Sequence, residues 1–170
     1  VTVTPSSDTA ATVAVPSAVY NNVTAGNAVT IKVTNSDSKS SGTVSKTAVA
    51  LPSGGSVTTS GSYRIHTFTS SGTFVNTIAS NSVEYLVIAG GGSGGNTENY
   101  SASGASGGGA GGYRSNVSGQ SSGGGASAES TLTLSAQSYT VTIGGGGGGT
   151  SSHATGSNGN NSVFGSITSI

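Results

Sequence analysis

The sequence predicts an all-β protein. Three observations carry that expectation. Short segments in which β-branched residues alternate with polar ones recur along the chain. No segment combines a 3.6-residue apolar period with helix caps. Glycine runs open directly from two of the apolar segments, at Ala89-Gly90 and Ile143-Gly144. The composition agrees: of 170 residues, 30 are Gly, 34 Ser and 23 Thr.

The first strands fall before residue 52. Val1-Thr2-Val3-Thr4, Thr12-Val13-Ala14-Val15, residues 28–34 and residues 43–49 each read with period two, and each is bounded by Pro, Gly, Asn, Asp or Ser. Val29, Ile31 and Val33 share one face, with Thr30, Lys32 and Thr34 on the other. Asn35-Ser36-Asp37-Ser38 is the turn joining two of these strands. Leu51-Pro52-Ser53-Gly54-Gly55-Ser56 reads as a turn-and-linker cluster. It divides a module at residues 1–52 from a second domain at residues 57–170.

After the linker, residues 63–69 and 73–77 flank Ser70-Ser71-Gly72, which predicts a hairpin. Residues 83–89 form the most hydrophobic strand. Its last four residues are continuously apolar, as expected of a strand buried on both faces. Residues 131–134 and 139–143 flank Ser135-Ala136-Gln137-Ser138, a second predicted hairpin, and residues 162–168 supply the last strand.

The glycines are unevenly spread: 24 of the 30 lie beyond residue 89. The main runs are Gly90-Gly91-Gly92, Gly107-Gly108-Gly109, Gly123-Gly124-Gly125 and Gly144-Gly145-Gly146-Gly147 with their extensions. Composition alone favours a flexible linker. A strand that opens straight into a run favours polyglycine II instead, a left-handed extended helix with three residues per turn. Glycine keeps its N–H and lacks Cβ, so such helices approach closely and hydrogen-bond to one another. A phosphate-binding loop is disfavoured, because no run opens a helix or precedes Lys-Ser/Thr.

Two resemblances follow. Ile31-Lys32-Val33-Thr34-Asn35-Ser36-Asp37 resembles the strand and turn of bacterial and phage immunoglobulin-like modules. A full sandwich of that type takes about seven strands, so the module here is a partial one, with a face and an edge to be covered by something else. The second is longer. Tyr63-Arg64-Ile65-His66-Thr67-Phe68, Val83-Glu84-Tyr85-Leu86-Val87-Ile88-Ala89-Gly90, Gly111-Gly112-Tyr113-Arg114, Tyr139-Thr140-Val141-Thr142-Ile143-Gly144 and Ser162-Val163-Phe164-Gly165-Ser166-Ile167 occur in that order. Together they closely resemble the glycine-rich domain of bacteriophage tail-fibre and other virion structural proteins, over residues 57–170. The resemblance implies a jelly-roll-type β-sandwich with polyglycine II helices, and a role in fibre structure or surface attachment. The family pattern continues past the last strand into a further glycine run. Here the sequence stops at Ile170, which implies a bundle short of one helix or a truncated chain.

Charge and reactive residues narrow the function further. Five basic residues balance five acidic ones, which leaves no basic surplus for nucleic acid and no polybasic segment for a membrane surface. No apolar run approaches the length needed for membrane insertion. There is no Cys for a thiolate site or disulfide. His66 and His153 are far apart and have no ligand cluster around them, and the carboxylates share no local motif. The expectation is therefore a protein that is not an enzyme, without catalytic residues, cofactor or metal. Asn99, Tyr100 and Tyr113 are the candidates for a surface-recognition patch. Val1, Thr2, Val3 and Thr4 are the candidates for an inter-subunit strand. The chain begins at Val1 without an initiator Met or a signal-type segment, and so reads as a processed product or a piece of something longer.

Two functions fit these readings. One is a structural subunit or attachment module of an extracellular, phage-type fibre, which contacts a host-surface polysaccharide or protein. The other is a self-assembling extracellular filament, outside any virion, joined by β-strand addition between subunits. Both expect a homo-oligomer, a trimer or a filament.

Overall fold

Among the described residues, the alternation of β-branched and polar residues first becomes a ladder at β1 (Ala28–Ile31), which pairs antiparallel with β2 (Val44–Thr47). The computed structural model describes residues 23–32, 42, 44–96, 106–150 and 154–170. These fall in two compact units, Val1–Ala50 and Leu51–Ile170. In the first unit Ala28 stands opposite Thr47, and the ladder is extended by Ala48 N–H donating to Asn27 O at 2.9 Å. The strands expected at residues 1–4 and 12–15 lie outside the described residues.

The second unit is also all-β. Its strands are β3 (Ser56–Ser60), β4 (Tyr63–Thr67), β5 (Gly72–Asn76), β6 (Asn81–Val83), β7 (Leu86–Ile88), β8 (Tyr113–Ser115), β9 (Leu132–Leu134), β10 (Gln137–Thr142), β11 (Ser162–Phe164) and β12 (Ile167–Ser169). A sheet in the order β12-β11-β10-β5 is accompanied by the pairs β3-β4, β6-β9 and β7-β8, all antiparallel. One 3-10 turn, Gly123–Gly125, is the only helical element among the described residues.

Both hairpins expected after the linker are replaced by other pairings. β4 does not fold onto β5. It folds back onto β3 through the two-residue loop Gly61-Ser62, with Tyr63 opposite Ser60. Gly61 has φ of 57°, the left-handed conformation such a loop asks of its first central residue. Likewise β9 and β10 belong to different sheets, joined by a corner at Ser135-Ala136. The Tyr139 hydroxyl locks that corner, accepting from Ser135 N–H at 2.9 Å and donating to Ser135 O at 3.2 Å. Asn76, 2 % exposed, holds the same region from the other side. Its Nδ2 donates to Ile78 O and Ser135 O, each at 2.8 Å.

The cluster at residues 51–56 is packed, not a free linker. Ser53 and Val75 exchange backbone hydrogen bonds at 2.9 and 3.0 Å, which extends the β5 edge. Pro52 is buried, and a Cβ on Gly54 would run into the Thr73 carbonyl. The predicted last strand at residues 162–168 is likewise divided, into β11 and β12, by a turn at Gly165 with φ of 58°.

Two apolar clusters fill the space between layers. Phe74, Leu134 and Val141 form one, with Phe68, Val83, Leu132, Tyr139, Ile143 and Phe164 packed against it. Tyr85, Val87 and Ile167 form the other, and Leu132 and Phe164 touch both. Phe74 and Phe164 meet edge to face at 5.8 Å. Side chains from β5, β10, β11 and β12 thus face side chains from β6, β7 and β9. Leu134, 2 % exposed, is enclosed in the first cluster with Phe74 and Val141. Leu134→Ala is expected to cost about 2–5 kcal/mol, and Leu86→Ala, at a site 53 % exposed, less than about 1 kcal/mol. Urea-unfolding midpoints check both.

Candidate functional site

Beyond β7 and β10 the backbone stays extended but leaves the sheets, and the glycine segments pack on one another. Residues 89–96 form the central helix. Ala89 N–H donates to Gly112 O at 2.9 Å, Gly92 N–H to Gly109 O at 2.9 Å, and Gly95 O accepts from Ser106 N–H at 3.3 Å. One residue on in each triplet, Gly90 N–H donates to Asn160 O at 3.0 Å, Ser93 N–H to Ser157 O at 2.9 Å and Asn96 N–H to Ala154 O at 3.2 Å. The third phase faces residues 144–150, where Gly147 N–H donates to Gly91 O at 2.8 Å. Every third residue thus addresses the same neighbour, the signature of a helix with three residues per turn. The segments at 106–112 and 154–160 run antiparallel to the central one, and the segment at 144–150 runs parallel to it.

The same period governs the glycines. A Cβ on Gly108 would run into Gly92 O, and one on Gly111 into Ala89 O. Gly144 and Gly147 meet Asn160 O and Ser157 O in the same way, and Gly156 and Gly159 meet Ser93 O and Gly90 O. In the central helix Gly90 abuts Gly145, and Gly94 abuts Ser106. Gly91 would hold a Cβ 3.0 Å from Gly109 O, whereas Gly92 and Gly146 have 3.4 Å to their nearest neighbours. Gly107, Gly109, Gly145, Gly148 and Gly149 face open space. Ser93 is the one non-glycine inside the central run, and its hydroxyl donates to Gly148 O at 2.7 Å while accepting from Ser157 N–H at 2.8 Å.

One helix of the bundle does not show in the sequence as a glycine run. Residues 154–160 carry only Gly156 and Gly159, so they do not look like a glycine run, yet those two sit at the positions that need glycine. A Gly-x-x-Gly spacing was the available signal. Gly123-Gly124-Gly125 forms the 3-10 turn against β8 and is no bundle member.

A second feature is a groove of about 880 Å³ between β4 and β6/β7. Phe68, Phe74 and Phe164 line it, together with Arg64 and His66 of β4. The segment expected to be buried on both faces forms its far wall. Val87 and Ala89 are buried, whereas Leu86 and Ile88 are 53 % and 54 % exposed. The continuous apolar run therefore reflects one core face, with Val87 and Ala89, and one exposed face, with Leu86 and Ile88 at the rim of the groove. His66 Nδ1–H donates to Gly54 O at 2.8 Å, and its ring stands edge-on to Phe74 at 5.0 Å.

A third feature links residues far apart in sequence. Arg114 meets Glu129 with two charge-assisted hydrogen bonds, Nε to Oε1 at 2.8 Å and Nη2 to Oε2 at 2.6 Å, and donates from Nη1 to Thr168 O at 3.0 Å. The Tyr85 hydroxyl and Ser122 Oγ donate to the same carboxylate at 2.8 and 3.0 Å. The Arg114 guanidinium first, and then the Tyr85 hydroxyl, hold the Glu129 carboxyl down at about 2. Burial and the adjacent carboxylate push the Tyr85 phenol up to about 12. The Arg114–Glu129 pair thus ties β8 to Tyr85, just before β7, through the carboxylate, and to β12 through the Arg114 bond to Thr168 O.

Of the recognition candidates, Tyr113 opens β8, half-buried, and lines a shallow depression with Gly123 and Ile170. Asn99 and Tyr100 lie outside the described residues, as do Val1, Thr2, Val3, Thr4 and His153. Among the described residues no group of three or more His, Asp or Glu side chains converges.

Comparison with known proteins adds one finding. The family model for a glycine-rich domain matches residues 69–170, more than half of the chain, so the chain belongs to that glycine-rich domain family. No curated protein matches the chain significantly, and no solved structure does.

Two tests follow from this geometry. Gly108→Ala and Gly147→Ala are expected to lower the urea midpoint strongly, because the backbone atom in the way cannot move aside. Gly109→Ala and Gly148→Ala, in open space, are expected to leave it unchanged or raise stability by about 0.4–1 kcal/mol through the unfolded chain. The depressed Glu129 carboxyl stabilises the fold above its unfolded value of about 4.3. That contribution is lost as pH falls through about 2. Stability measured from pH 5 downwards should decline in the native chain, with a visibly shallower slope in Glu129→Gln.

Proposed function

We propose that this member of the glycine-rich domain family is a structural or attachment module of an extracellular fibre, of the phage tail-fibre type. The observation that carries the reading is the bundle itself. Its order rests chiefly on backbone contacts between extended glycine segments. A scaffold of this kind suits a passive, charge-poor exterior. In this reading the first unit is a partial immunoglobulin-like module. Asn99 and Tyr100, in the segment between the helices at 89–96 and 106–112, and Tyr113 contact a surface polysaccharide or protein. No helix among the described residues is long and apolar enough to cross a membrane.

The groove favours a second reading, a free extracellular filament joined by β-strand addition, because a sheet open at that point can take a strand from a neighbour. Electron microscopy of the native source, with mass measurement of the purified assembly, tests both. Labelled particles in virion fibres support the first reading, and free filaments the second. A chain found only as an intracellular monomer would overturn both.

A further inference from the structure

We propose that the groove between β4 and β7 is an acceptor slot for one β-strand of a second copy of this chain, donated by Val1–Thr4; this rests on the oligomeric reading above. Both walls of the slot are strand edges. In an antiparallel ladder, hydrogen-bonded and non-bonded pairs alternate. Ala89 N–H donates to Gly112 O at 2.9 Å, and Asn116 N–H reaches Tyr85 O at 3.4 Å. In the register of β7 with β8, Val87 and Arg114 are therefore in the bonded phase. Leu86 and Ile88 are out of phase, so their backbone groups turn away from β8. The Ser115 carbonyl, opposite Leu86, obeys the same phase, since it accepts from Glu129 N–H at 2.9 Å on the far side.

The opposite wall has the same character. The two-residue loop of β3-β4 closes on the pair Ser60 and Tyr63, so Arg64 and His66 are in the phase that turns away from β3. Arg64, His66, Leu86 and Ile88 all line the groove. An occupant with extended backbone would join β3-β4 to β7-β8 as one sheet.

Size and polarity specify the occupant. A strand fills about 4.8 Å of sheet width, about 10 Å between layers and about 3.4 Å of length per residue, or roughly 160 Å³ per residue. The groove, at about 880 Å³, therefore takes about five residues. Its floor is aromatic, with Phe68, Phe74 and Phe164, and its outer rim carries Tyr63, 59 % exposed, with Leu86 and Ile88. The donor must be uncharged and strictly alternating, apolar on the floor side. Val1-Thr2-Val3-Thr4 meets this with a polar Thr at each outer position, whereas Thr12-Val13-Ala14-Val15, of the same period, would set the apolar Ala14 on the outer face, and the alternating segments of the second unit are already paired in their own ladders. Donation between copies covers the edges left open here, and head-to-tail donation leaves a fresh slot on each added copy, so assembly propagates.

The chain has no cysteine, so the test is clean. Full-length T2C and I88C variants are made separately, checked for native urea midpoints, mixed and oxidised. The expected result is a disulfide-linked heterodimer at least tenfold above either variant alone, suppressed by an excess of a peptide of residues 1–6. No heterodimer from a chain that still sediments as an oligomer overturns the slot while leaving the oligomeric reading standing. No heterodimer from a chain that is monomeric at every concentration overturns both. An intrachain disulfide in the T2C/I88C double variant, without a heterodimer from the mixture, overturns donation by a second copy.

Discussion

The backbone hydrogen bond between extended glycine helices is the interaction on which the second unit depends. It forms only where two backbones approach without Cβ atoms between them. That condition fixes glycine at positions such as Gly108, Gly111, Gly144 and Gly147, where any side chain would meet a neighbouring carbonyl. Glycine gives up more conformational freedom on folding than any other residue. The bundle offsets this by satisfying backbone groups in three directions around residues 89–96. It is built on the sandwich, since β7 leads into its central helix and β10 into the parallel one.

The sandwich in turn is held by a small set of large side chains and two polar anchors. Phe164 and Leu132 touch both apolar clusters, which couples the sheets into one core. Asn76 and the Tyr139 hydroxyl satisfy the backbone where strands change sheets. Arg114, held by Glu129, likewise caps the Thr168 carbonyl of β12. In a chain with five residues of each charge, a paired and multiply hydrogen-bonded carboxylate is a structural fixture, and its depressed acidity follows from those bonds.

Much of this was legible in residue order. The strands at residues 28–31, 44–47, 63–67 and 72–76 follow from alternation, and the exits from Ala89 and Ile143 mark where the bundle begins. Pairing was less legible. The spacing around Ser70-Ser71-Gly72 fits a hairpin, but Gly61-Ser62 supplies a tighter loop and takes β4 for β3. The helix at residues 154–160 is hidden because only two of its positions face a neighbour closely enough to require glycine. The Arg114–Glu129 pair carries no local motif, since its members meet only when β8 and the segment before β9 are brought together.

By itself the sequence determined the class: all-β, poor in charge, with extended glycine segments leaving the ends of strands. These are local properties, set by side-chain branching, by alternation and by the absence of Cβ. Only the tertiary structure decided which glycines are indispensable, which strands pair, and that one position between β4 and β7 stays open. Those outcomes depend on contacts between residues tens of positions apart. Period and composition are the same for a glycine that faces a carbonyl and for one that faces solvent.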